Sequence, residues 1–104
     1  MRSIDIAARD LETLRAILGA HLPEYEIRAF GSRVTGTARP ASDLDLAIMT
    51  VEPLAASRIA DLREAFTESD LPFRVDLIDW AATTAAFRAI IERAWAPVRD
   101  AGRP

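Results

Sequence analysis

At 104 residues the chain has the size of one domain, near the lower limit for burying a core of its own. Half of its residues are hydrophobic, which excludes a disordered chain. The net charge of −3 argues against direct nucleic-acid binding, which calls for a basic patch, while leaving a nucleotide ligand open. Cysteine is absent, so disulfides, thiolate metal sites and cysteine nucleophiles are excluded. The N-terminal residues lack the apolar run of a secretory signal, and no span is long enough for a membrane crossing, so the cytoplasm is the expected compartment. Every basic side chain except His21 is arginine, a bias that lowers the weight of any single arginine.

In chain order, Ser3 can cap a first helix reaching about Ala20, with Ala7, Leu11, Leu14 and Leu18 on one face. Residues 25–30 alternate and predict a strand. Residues 32–36 can form one helical turn closed by Gly36, followed by a loop through Ser42. Residues 43–50 predict a second strand, and 54–69 a helix opened by Pro53, with Ala55, Ile59, Leu62 and Phe66 inward. A third strand is expected over 73–78. The last helix is expected over 83–95, with Phe87, Ile90, Ile91, Ala94, Trp95 and Val98 on one face, and a fraying tail over 99–104.

Strands two and three, joined through a helix, form a right-handed βαβ unit; the short link between strands one and two predicts an antiparallel pair. The expected fold is α/β (α+β): a small mixed sheet of three or four strands flanked by about four helices, one domain over 1–104.

Chemistry concentrates between Gly31 and Ile48. Asp43 and Asp45 alternate with Leu44 and Leu46, so both carboxylates point to one face of the second strand, about 6.6 Å apart at the Cα atoms. They serve either as ligands for one or two hard cations or simply as solvent-facing polar positions. Asp76, between Val75 and Leu77, has the parity to join them if strands two and three are neighbours; the alternative is an ion pair with Arg74 or another arginine. Asp79 has the opposite parity and suits the loop before the last helix. Gly31 permits a sharp bend and close ligand approach, and Ser32 offers a hydroxyl and an amide to a phosphate, although Gly-Ser is also an ordinary turn. Arg33 can hold a triphosphate or sit exposed in a structural salt bridge. His21 has no second ligand nearby, and Trp80 and Trp95 suit core or interface positions. Neither a dinucleotide-binding nor a Walker glycine pattern is present.

Gly31-Ser32-Arg33 with Gly36, followed by Ser42-Asp43-Leu44-Asp45-Leu46-Ala47 and a later acid, resembles the signature of the nucleotidyltransferase superfamily, which shares the fold of the DNA polymerase beta catalytic core. The combination is most similar to the minimal nucleotidyltransferases and covers nearly the whole chain. The resemblance implies that Asp43, Asp45 and Asp76 bind two Mg2+ ions and carry catalysis. It places the nucleotide at Gly31, Ser32, Arg33 and Ser42. It also implies transfer of AMP from ATP to a hydroxyl, with release of pyrophosphate and with Asp76 assisting proton removal.

Members of this family are antitoxins paired with a helical HEPN-domain toxin, in a type VII-like system in which a tyrosine of the toxin is adenylylated. The chain length leaves no room for an acceptor domain, so the acceptor is expected on a partner protein. Two other readings follow from the same resemblance. One is an antitoxin that neutralises by binding alone; the other is a transferase domain serving an antibiotic or RNA through a partner subunit.

Overall fold

Apolar alternation in β1 (Ile27–Phe30) and β2 (Leu44–Ile48) forms the centre of a four-stranded sheet in the computed structural model, which describes residues 2–101. The strand order is β3-β2-β1-β4, with β3 spanning Val75–Asp79 and β4 spanning Trp95–Arg99. β1 pairs antiparallel with both β2 and β4, and β2 pairs parallel with β3. The expected hairpin-like link and βαβ unit are therefore both present.

Each face of the sheet has its own cover. Leu44, Leu46 and Ile48 of β2, with Ile27 and Ala29 of β1, point to the side carrying α1 (Ala8–His21) and α3 (Ala56–Thr67). Leu14 and Leu18 of α1 and Leu62 and Phe66 of α3 bury against them, one helical turn apart in each helix. On the opposite face α4 (Ala85–Arg93) seats Ile91 and Phe87 on Phe30 and Ala47. The rings of Phe30 and Phe87 meet edge to face, 5.9 Å between centroids. That second cover is short and leaves the β2 and β3 starts open, where the acidic residues lie.

Three expectations are corrected. The first helix starts at Ala8, not beside Ser3, and Ala7 precedes it without a side-chain cap. Residues before it form an irregular, bent segment instead, in which the Asp5 N–H donates to the Arg33 carbonyl at 2.7 Å, the Ile6 N–H donates to the Ile4 carbonyl at 3.0 Å, and Ile4 and Ile6 pack on the core. The third helix starts at Ala56, with Ala55 still extended at φ −60°, ψ 138° and the Leu54 N–H before it donating to an Asp79 oxygen. The largest correction concerns the C-terminal region. α4 ends at Arg93, and Trp95–Arg99 forms an edge strand that buries Ala96 and Val98. The 95-to-98 spacing fits a helix, yet 96 and 98 equally fit a strand, and Pro97 is tolerated only because β4 is an edge. Of the tail expected to fray, Arg99 belongs to β4, and residues 102–104 lie outside the described residues.

Candidate active site

The end of β1 and the start of β2 come together because the strands are antiparallel: Phe30 pairs with Asp45. Gly31 follows at once, with φ +80° and ψ −158°, a conformation open to glycine. It leads into α2 (Ser32–Thr35), whose Val34 and Thr35 amides return to the Gly31 carbonyl at 3.0 and 3.1 Å. The first amides of the turn have no intrahelical partner. Gly36, left-handed at φ +86°, closes it. A Cβ on Gly31 would overlap the Asp45 Oδ2 and stand 3.1 Å from its Cγ. The turn and the carboxylate are thus in direct contact.

The parallel register of β2 and β3 puts Asp76 directly beside Asp45. Asp43 precedes β2 with the same parity, so the three acids share the open face of the sheet. Asp45 is partly buried and Asp76 exposed. Burial, then the charge of Asp76 and that of Asp43, push the Asp45 carboxyl above its ordinary range. A nitrogen of the Arg74 side chain, which is 87% exposed, lies 3.3 Å from Asp43 Oδ2, so Arg74 pairs with Asp43 and not with Asp76.

This donor set fits a hard divalent cation. It offers carboxylate oxygens only, its central member carries an electrostatic cost that a cation would relieve, and a guanidinium already rests against Asp43. Among the described residues, no trio of His, Cys, Asp or Glu side chains is already gathered as a metal cage.

Arg33 occupies a different environment from the exposed one the sequence suggests. It is buried, and its guanidinium donates to the carbonyls of Asp5 (2.9 Å), Pro40 (3.0 Å) and Ser42 (2.8 and 3.0 Å) while lying over the Phe73 ring. Its fork therefore ties the loop before Asp43 to the N-terminal segment. The Ser42 hydroxyl accepts from the Arg39 N–H at 2.8 Å, closing the same loop.

Asp79 also acts in the scaffold. It accepts from the Thr50 hydroxyl and from the Leu54 N–H at 2.7 Å, and Thr50 Oγ1 accepts from the Ala81 N–H at 2.9 Å. This links the β2–α3 loop to the end of β3. The cap of α4 is instead Thr84, whose hydroxyl accepts from the Phe87 N–H. Sequence reading also missed Arg63, which lines a cleft beside Asp43 and Asp76. No local signal marks it, since it is an exposed arginine on the polar face of α3 with no motif around it.

Known proteins resemble this chain in sequence and in fold. The family model for the nucleotidyltransferase domain matches residues 11–101. The chain is 47% identical over 97 residues to the "Probable protein adenylyltransferase MntA" of Haemophilus influenzae, covering 93% of this chain and 85% of that protein. Among solved structures, a toxin–antitoxin with AMP-PNP aligns with a TM-score of 0.73 at 22% identity, over 86% of this chain and 73% of that one. A chain from the structure of a tri-AMPylated Shewanella oneidensis HEPN toxin in complex with MNT antitoxin aligns at 0.68 and 18%, over 88% and 71%. At those identities the structures speak for the fold. With the family model spanning most of its length and a relative at nearly half identity, the chain belongs to the nucleotidyltransferase domain family, among the minimal, MntA-like members.

Proposed function

We propose that the protein is an antitoxin that acts as a protein adenylyltransferase, moving AMP from ATP onto a tyrosine hydroxyl of a HEPN-domain toxin in the cytoplasm. The observation carrying this reading is the registered pair Asp45–Asp76, with Asp43 on the same face and the Gly31–Ser32 turn against it. The relative named a probable protein adenylyltransferase, and the HEPN toxin–MNT antitoxin complex that shares the fold, support the choice of donor and acceptor.

In this reading Asp43, Asp45 and Asp76 hold two magnesium ions. The chemistry those ions supply when bound is neutralisation of phosphate charge and a lowered pKa for the acceptor hydroxyl. The chain's own residues position the reactants. Gly31, having no Cβ, lets the Asp45 carboxylate close against the turn that receives the triphosphate, and Ser32 gives the triphosphate a hydroxyl and an amide. Arg33 and Ser42 serve the nucleotide through the loop that they brace, which delivers Asp43 to the face. The tyrosine oxygen attacks the α-phosphorus, the bond to the β-phosphate oxygen breaks, and pyrophosphate leaves with the electron pair. Asp76, the most exposed of the three acids, accepts the phenolic proton and passes it to water.

Co-expression with the HEPN-domain protein, followed by intact-mass spectrometry of that protein, tests the reading. AMP-sized increments are expected with the wild type and none with Asp43→Ala/Asp45→Ala. Full neutralisation of the toxin by the double variant, with no added mass, would overturn it in favour of neutralisation by binding.

A further inference from the structure

In-line displacement puts the attacking oxygen and the departing pyrophosphate on opposite sides of phosphorus. On the reading above, the triphosphate lies at the Gly31–Ser32 turn, which contacts Asp45 from the β1 side. The acceptor must then approach from the opposite flank, along β3. That flank is an open sheet edge, because β3 is the terminal strand.

A cleft of about 840 Å3 opens there. Its volume falls in the range of clefts that take a small ligand. Asp43 and Asp76 line it, so it opens onto the reaction centre. Away from them its walls carry the apolar rings of Phe66 and Phe73 and two cations, Arg63 and Arg74. Arg74 has Asp43 as its ion-pair partner. Arg63 is exposed, and among the described residues it forms no ion pair. A free guanidinium beside an apolar wall is matched to a carboxylate carried on a partly apolar segment.

We propose that this cleft is the acceptor subsite. It takes a segment of the acceptor protein that directs its hydroxyl toward Asp76, rests an apolar side chain against Phe66 and Phe73, and places a carboxylate on Arg63. Arg63 is then a specificity-determining residue for the protein substrate. The inference rests on the adenylyl-transfer reading, and the nucleotide's base is the competing occupant of the cleft.

Steady-state kinetics with ATP and the purified HEPN-domain protein separate these cases. Arg63→Glu is expected to raise KM for the HEPN protein roughly tenfold, as loss of a charge pair does. KM for ATP and kcat should stay within about twofold. Arg63→Lys should keep much of the wild-type KM, and Arg63→Ala should fall between. An unchanged Tm would confirm intact folding of each variant, as expected at an exposed helix position. An unchanged KM for the HEPN protein, or a rise confined to KM for ATP, would overturn the proposal. A wild-type protein that transfers no AMP would instead remove the adenylyl-transfer reading itself, visible before any variant is made.

Discussion

The Asp45 carboxylate occupies the space that a side chain at position 31 would need, with Cγ 3.1 Å from where the Gly31 Cβ would stand. The relationship is enforced twice. Gly31 also adopts φ +80°, which disfavours any residue with a Cβ. Backbone conformation and carboxylate position therefore depend on the same missing atom.

Gly31→Ala should accordingly cost about 1–3 kcal/mol of stability through backbone strain alone. It should also displace the Asp45 side chain, so AMP transfer falls more steeply than stability does. Urea unfolding and a transfer assay on the folded fraction check both parts. A variant with wild-type stability and turnover would remove the proposed dependence.

Asp45→Asn separates stability from function in the opposite direction. The folded-state pKa of Asp45 is raised, so the folded chain holds this proton more tightly than the unfolded chain. At neutral pH the ionised carboxylate opposes folding, and that opposition fades as pH falls through the carboxylate range. The metal-free Asp45→Asn protein should thus melt above the wild type at pH 7, and the difference should shrink toward pH 4. Transfer should drop to background. A pH series of thermal melts in chelator gives the answer, and a lower Tm at pH 7 would contradict it.

Arg33 is a structural pin in this fold. Arg33→Ala deprives the Asp5, Pro40 and Ser42 carbonyls of a charged donor and should cost about 2–3 kcal/mol. Arg33→Lys should recover little, because a lysine cannot present the planar fork to three carbonyls. Chemical denaturation of both variants measures this. Full stability in Arg33→Lys would show that charge alone suffices.

A fourth test lies away from the site. Arg58 donates to both Glu24 oxygens at 2.8 and 2.9 Å and to the His21 carbonyl at 2.9 Å, tying α3 to the end of α1. The Arg58 hydrogen bonds lead the causes that pull Glu24 down to about 2. A depressed carboxylate stabilises above its unfolded pKa and loses that contribution as pH falls toward 2. Both side chains are substantially exposed, so Glu24→Gln should cost only about 0.5–1 kcal/mol at pH 7. The cost should vanish near pH 2, as followed by urea midpoints.

Local periodicity determined much of this protein. Alternation in Leu44-Asp45-Leu46 commits the aspartates to one face and the leucines to the core whatever the rest of the chain does. The Gly31-Ser32 step after an apolar strand likewise announces its turn. Three features were decided only in the tertiary structure, because each depends on residues distant in sequence. Register between β2 and β3 sets Asp76 beside Asp45; parity alone gives only its face. Trp95–Arg99 is a strand because β1 offers it an open edge, while its own spacing suits helix or strand equally. Nothing local chooses between the two readings of Arg33, a phosphate ligand or an exposed ion-pair partner, or marks Arg63 at all. Long-range contacts bury one among carbonyls from both sides of the motif and leave the other facing a cleft.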